Sequence, residues 1–250
     1  MDWSAKIFAY CERGLDPGFW AEPANAVSNA AFVIAATLAL TRWWPVRGRA
    51  GSWIEAGLIA LVGVIGVGSF LFHTLATRWA AVADTAPIGV FMLAYLVYAL
   101  RAFGGLGWRW TAPPVALFVA ALWAAGSVRC GAGPCLNGSL GYAPALVALA
   151  ATGLWLRATA QTRSGSACCR SVRQKNAHAA SAALTAGAAV FLVSLAFRTL
   201  DRSVCPATAL VGSGPIGTHF IWHIANAVLL YLLLAAAVAY RGGAAITPRR

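Results

Sequence analysis

Long uninterrupted runs of apolar residues alternate with short polar segments along almost the whole chain. A run of about 20 apolar residues is long enough to cross the hydrocarbon core of a bilayer as an α-helix. Barrel strands would instead alternate apolar and polar positions over about 10 residues, so the pattern favours helices. It predicts seven spans: Asn25 to Trp44, Trp53 to Leu75, Asp84 to Leu100, Trp110 to Ala125, Leu140 to Leu156, His178 to Phe197 and Thr218 to Tyr240.

The composition agrees with a membrane protein. The 250 residues are 60% hydrophobic and 10% charged, and the mean hydropathy is +0.70. An ordinary soluble domain of this length is not built from such a composition. We therefore expect an all-α fold: one polytopic bundle of seven transmembrane helices over residues 1–250.

Basic residues predict the orientation of this bundle. With the C-terminus in the cytoplasm, 13 of the 19 Lys and Arg fall on the inside, as the positive-inside rule requires. Residues 1–23 then form an extracytoplasmic segment and residues 241–250 a cytoplasmic tail. We expect an integral multi-pass protein of a bacterial inner membrane, with no obligate protein partner. The charge lies in short loops, which argues against a nucleic-acid partner.

Three of the four histidines have spacings that suit a metal site. His219 and His223 share a helix face at the start of the last span, and Ser69 and His73 share one near the end of the second. The predicted orientation puts both groups on the outer side of the membrane. Three imidazoles with one water form an open catalytic zinc site, so we expect zinc at His73, His219 and His223. The alternative is that these histidines hydrogen-bond across a helix interface.

Asp84 follows His73 by 11 residues and stands just before the third apolar run. It is a candidate general base that accepts a proton from a metal-activated water, and it is equally a candidate N-cap of a helix. Ser69, one turn before His73, is a candidate hydrogen-bond donor to a developing oxyanion. Its alternative role is packing between helices, where small hydroxyl residues are common.

Several short motifs together resemble the alkaline ceramidase family, over nearly the full chain and in order. They are Tyr10-Cys11-Glu12, Glu22-x2-Asn25-x3-Asn29, Ser69-x3-His73-x10-Asp84, the stretch from Asp201 to Cys205, and His219-x3-His223. Members are seven-helix zinc amidases, distantly related to adiponectin-receptor and hemolysin III-like proteins. The resemblance implies that His73, His219 and His223 bind zinc, that Asp84 activates water, and that Ser69 stabilises the oxyanion.

The resemblance also implies a calcium site in the N-terminal segment. Glu12 and Glu22 match two of the family's ligands, whereas Ala9 and Gly14 replace an Asp and an Asn. Asp16 is a weaker candidate that could compensate. Calcium is therefore a second expected cofactor, although the sequence departs from the family's pattern at two of its ligands.

The family further suggests a disulfide between Cys11 and Cys205. Cys11, Cys130, Cys135 and Cys205 all lie outside in the predicted orientation, an even number in an oxidising compartment. Pairing of Cys11 with Cys205 and of Cys130 with Cys135 is preferred, and the residues alone leave the other two pairings open.

The resulting prediction is a zinc-dependent intramembrane amidase whose partner is a lipid, ceramide or another N-acyl lipid, cleaved to a sphingoid base and a fatty acid. The competing prediction is an ion or proton transporter, or a receptor, that uses the same His and Asp cluster. A third keeps the hydrolytic site but changes the substrate to another acylated lipid or an acyl ester.

Overall fold

The structure is a computed structural model that describes residues 2–131, 133–162, 167–209 and 214–244. Its helices are α1 (Pro23–Ser28), α2 (Ala30–Trp43), α3 (Trp53–Leu75), α4 (Arg78–Tyr98), α5 (Trp108–Ser127), α6 (Ala143–Thr162), α7 (Ala167–Leu200) and α8 (His219–Ala244). Short 3-10 turns at Trp44–Val46, Cys135–Tyr142 and Cys205–Thr208 and a π-helical turn at Ala99–Phe103 adjoin them. Two short strands, β1 (Arg129–Cys130) and β2 (Gly133–Pro134), form an antiparallel hairpin.

Seven helical segments within the described residues are long and apolar enough to cross a membrane, which confirms the predicted fold class. Their bounds agree with the predicted spans to within three residues except in the third, which begins at Arg78 instead of Asp84, and in the fifth, which runs over Cys135–Ala160 instead of Leu140 to Leu156. Thr77 is the N-cap of α4, since its hydroxyl accepts a hydrogen bond from the backbone N–H of Ala80. The alternative role of Asp84 as an N-cap is therefore wrong, because Asp84 lies inside α4.

The distribution of side chains differs from that of a soluble protein on the outer surface and in the number of buried polar groups. Large apolar residues such as Leu117, Val147 and Leu154 are exposed on the outer surfaces of the spans, where lipid chains would contact them. Polar and charged residues, including Asn25, Glu55 and many others, are buried inside. This arrangement supports an integral membrane protein, because intramembrane polar groups face the interior of a bundle.

The spans pack in chain order into a ring that α8 closes by packing against α2 and α7. The C-terminal end of α3 and the N-terminal ends of α4 and α8 meet at one end of this ring. The basic segment between α6 and α7 is largely helical, since α6 extends to Thr162 and α7 begins at Ala167. Of the predicted cytoplasmic tail at 241–250, residues 245–250 lie outside the described residues.

The segment before α1 crosses the end of the ring where α3 and α4 meet. Ile7 donates a backbone hydrogen bond to Ala76, and Arg78 donates one to Ala5. Disulfides join Cys11 to Cys205 and Cys130 to Cys135, so the preferred pairing is confirmed. The first bond ties the N-terminal segment to the turn after α7.

Candidate metal centre

The fold brings the three predicted histidines into one buried cluster. His73 comes from the last turn of α3, whereas His219 and His223 come from the first two turns of α8. Their ring centroids are 4.6 to 5.2 Å apart, and one potential ligand atom from each lies within 4.8 Å of the others. All three residues are at most 2% exposed.

Two of these rings are hydrogen-bonded through Nδ1, which leaves Nε2 of each ring free to bind a metal. His73 donates from Nδ1 to Oε2 of Glu22 at 2.5 Å. Nδ1 of His223 lies 2.7 Å from the Ser28 hydroxyl, which itself donates to the carbonyl oxygen of Asn25. Because that hydroxyl has only one hydrogen to give, it accepts from Nδ1–H of His223. In each ring, Nε2 is then the unprotonated nitrogen.

The third ring is positioned through its backbone and its face. Asp201 accepts the backbone N–H groups of Thr218 and His219 on Oδ1 and that of Cys11 on Oδ2, so its carboxylate fixes the start of α8. Tyr10 stacks on the His219 ring with 3.8 Å between centroids.

Buried nitrogen atoms without hydrogen-bond partners indicate whether this cluster fits a metal ion. Among the described residues, Nε2 of His73 and Nδ1 of His219 are buried and make no hydrogen bond. A buried polar atom without a partner costs about 1–3 kcal/mol, and coordination of a cation would remove that cost. Three neutral imidazoles, one oriented by a carboxylate, are a donor set typical of zinc. The residues therefore fit the predicted metal.

A close helix approach brings the predicted general base to the cluster. Gly68 on α3 faces α4 so tightly that a Cβ atom there would lie 2.1 Å from the carbonyl oxygen of Ala83. Asp84 follows directly, is 7% exposed, and interacts with the Ser69 side chain and with His73. The structure thus gathers Ser69, Asp84 and the histidines at one place.

An arginine near the C-terminal end of α7 also adjoins the cluster. The guanidinium of Arg198 lies over the rings of Tyr10, Tyr142 and Trp222, 5.2 to 5.8 Å from their centroids. Its Nη1 donates to the Tyr10 hydroxyl at 3.2 Å. Burial raises the pKa of Tyr10, so this hydroxyl stays protonated. The aromatic contacts supply the cation–π attraction that a charge in a membrane bundle needs.

The two glutamates predicted to bind calcium have other partners. Both oxygens of Glu12 accept backbone hydrogen bonds, from Ala24 and Asn25. Burial raises the pKa of Glu12, against the opposing effect of these bonds. Burial would also raise the pKa of Glu22, but hydrogen bonds from His73, Arg13 and Asn25 outweigh it and lower that pKa. Asp16 is exposed and accepts the backbone N–H of Gly18.

Sequence reasoning missed the groups that surround the histidines. Tyr10 was recognised only as part of a motif, and Ser28, Arg13 and Arg198 were assigned no role at the site. A charged residue in an otherwise apolar span, as at Arg198, is the kind of signal that identifies such groups. No comparable local signal distinguishes Tyr10, whose contacts come from residues far along the chain.

Comparison with known proteins agrees with the geometry. The sequence model of the ceramidase family matches residues 9–245, a range that contains every residue of the cluster. No curated protein matches the chain. Since the family match covers nearly the whole sequence, this seven-helix protein belongs to the ceramidase family.

Proposed function

We propose that this protein is a zinc-dependent amidase that hydrolyses ceramide, or a related N-acyl lipid, to a sphingoid base and a fatty acid. The observation that carries the proposal is the convergence of three buried imidazoles, two of them with a nitrogen that has no partner among the described residues. Family membership supports cleavage of the ceramide amide, and the donor set supports zinc.

The chemistry that zinc supplies when bound is a water of lowered pKa, near about 7, and a polarised amide carbonyl. In this proposal Asp84 takes the proton from the attacking water. It then returns this proton to the amide nitrogen, so that the C–N bond breaks and the amine leaves. In the same proposal the Ser69 hydroxyl donates to the carbonyl oxygen as negative charge develops there.

The chain's own residues hold these groups in place. Glu22 and Ser28 orient the rings of His73 and His223, and Asp201 fixes the start of the helix that carries His219 and His223. A catalytic site must be held to within about 0.5 Å by such supporting contacts. The polar network around the histidines meets that need.

An apolar cavity next to the cluster supports a lipid substrate. It is lined by Phe32 and Trp222, which contact the rings of His223 and His219. From there it follows one face of α8 past Asn226, Leu229 and Leu233. An acyl chain in this cavity would put its carbonyl end at the metal and its methyl end in the middle of the bundle.

Fatty-acid release tests this proposal. Purified protein should release fatty acid from ceramide or another N-acyl lipid in a panel that also contains acyl esters. Removal of metal should abolish release, and added zinc should restore it. Fatty-acid release from acyl esters alone would mean that the substrate is an acyl ester instead of an N-acyl lipid. Protein that cleaves nothing and instead moves ions across vesicles would contradict the proposed function.

A further inference from the structure

Arg13 is a buried cation whose five donors are all used. The residue is 2% exposed. Nε donates to Oε1 of Glu22 at 2.5 Å. Nη1 donates to the carbonyl oxygens of Asp16 and Gly18, at 3.0 and 2.8 Å, and Nη2 to those of His73 and Thr74, at 2.8 and 3.3 Å. A guanidinium has five N–H groups, and each has an acceptor here.

The acceptors around Arg13 are unusual for an arginine. One carboxylate and four backbone carbonyl oxygens make a set of hard oxygen ligands, which is the kind that calcium prefers. Here a guanidinium already fills this set. Glu12 is not part of this set, and both of its oxygens already accept backbone N–H groups at the start of α1. The calcium that the family implies therefore does not fit these residues as they are folded.

Arg13 also connects the N-terminal segment to a metal ligand by two routes. The first runs through Glu22, whose Oε1 is bound by Arg13 and whose Oε2 accepts from Nδ1 of His73. The second is direct, since Arg13 binds the backbone carbonyls of His73 and Thr74. These lie in the last turn of α3, where carbonyls lack helical partners and a cation is favourable.

We propose that Arg13 is the resident cation of the N-terminal segment. Its guanidinium takes the place of calcium and positions Glu22 and His73. The protein then needs no calcium to hold its metal centre. Arg13 is a positioning residue, since it acts on the site through Glu22 and the end of α3. The inference rests on the proposed function only where His73 is treated as a metal ligand.

Arg13→Ala tests the inference, because it leaves Glu22 and the four carbonyls around an empty space. The variant should bind zinc about 10–100-fold more weakly, as loss of groups that orient ligands does. Added guanidinium or calcium should restore affinity by refilling that space. Arg129→Ala is the matched control: Arg129 also donates to backbone carbonyls, of Gly126 and Val128, but is exposed. It should leave zinc affinity unchanged.

A second experiment uses native protein, so its outcome does not depend on whether the Arg13→Ala variant folds. In calcium-depleted, zinc-buffered medium, the thermal unfolding temperature and zinc affinity of native protein should not change when calcium is added. A rise in either on addition of calcium would overturn the inference. So would an Arg13→Ala variant with native zinc affinity.

A further variant separates positioning from general stability. Gly153→Ala strains the contact between α6 and α7, where a Cβ would lie 2.9 Å from Cγ2 of Thr185. It should lower the unfolding temperature but keep native zinc affinity, whereas Arg13→Ala should lower both. Equal zinc affinities in the two variants would overturn the positioning role. If native protein bound no zinc, the proposed function would fail. The effect of added calcium on the unfolding temperature of native protein would still test the role of Arg13.

Discussion

The carboxylate of Glu22 accepts a hydrogen bond from Nδ1 of His73 at 2.5 Å, across 51 residues of sequence. This bond joins the segment before α1 to the end of α3. It also holds the proton on Nδ1 and leaves Nε2 of His73, which is buried without a hydrogen-bond partner, as the nitrogen that can bind a metal. A carboxylate that binds the outer nitrogen of a ligating histidine fixes the ring and makes it a better donor to the metal.

Glu22→Gln should therefore weaken zinc binding by about 10–100-fold. The amide keeps the size of the side chain but loses the charge that His73 and Arg13 both bind. Zinc affinity, measured by competition with a chelating dye, reports the change. Asp2→Asn is the control, since Asp2 is an exposed carboxylate of the same segment that accepts hydrogen bonds from Ser4, and the zinc affinity of this variant should remain native. Equal affinities in both variants and the native protein would contradict the role given to Glu22.

Asp84→Asn should lower turnover by about 100–10,000-fold, the usual contribution of a general base, while bound zinc stays stoichiometric. An amide cannot accept the proton from water at neutral pH. Thr85→Ala is the control on the same helix, because the Thr85 hydroxyl is exposed and bonds only the carbonyl of Ala81 among the described residues. Fatty-acid release and zinc content should be measured on the same samples. Turnover near the native value in Asp84→Asn would exclude Asp84 as the base.

Gly68→Ala should destabilise the protein by about 1–3 kcal/mol, as overpacking does, and should lower turnover as well. The added methyl would meet the carbonyl of Ala83 at 2.1 Å and separate α3 from α4 where Ser69 and Asp84 meet. Gly63→Ala is the matched control on α3, since its added Cβ would meet nothing within 4 Å. Unfolding temperature and turnover measure the two effects. If Gly68→Ala and Gly63→Ala had the same unfolding temperature and turnover, the close approach of α3 and α4 would not be needed for stability or activity.

Loss of the disulfide between Cys11 and Cys205 should cost about 2–5 kcal/mol of stability and should weaken zinc binding. This disulfide joins cysteines that are 194 residues apart and holds the segment that carries Arg13 and Glu22. The double Ser variant of Cys130 and Cys135 opens a separation of only 5 residues, distant from the histidines in the chain, and should have the smaller effect. Thermal unfolding and zinc titration of both variants check this order; the reverse order would contradict it.

The seven spans could be predicted from the sequence because continuous apolar runs of membrane length leave few alternatives. The start of α4 could not, since Arg78 and Asp84 resemble the polar edge of a span. The structure shows that helix already begins at Arg78, with Thr77 as its cap. Asp84 is accommodated inside because it faces Ser69 and the histidines instead of lipid.

The histidine cluster could be predicted because His219 and His223 are four residues apart on one helix and His73 stands near the end of another predicted span. The groups that orient it could not, because their contacts join segments far apart in the chain. Ser28 and His223 are 195 residues apart, and Arg13 and His73 are 60 apart. The sequence nominated Glu22 as a calcium ligand, whereas in the structure it binds a histidine and an arginine. Whether calcium binds stays a prediction, which the Arg13 experiments address.

The zinc content of purified protein, measured by elemental analysis beside fatty-acid release from ceramide, tests the account most directly. Native protein should carry one zinc per chain and release fatty acid. His219→Ala should lose both, because one of three ligands is gone. His178→Ala should lose neither, since this fourth histidine lies at the start of the span Asn176–Leu200, whereas Asp201 and the cluster lie at its other end. A His219→Ala variant that kept its zinc and its full turnover would contradict the account.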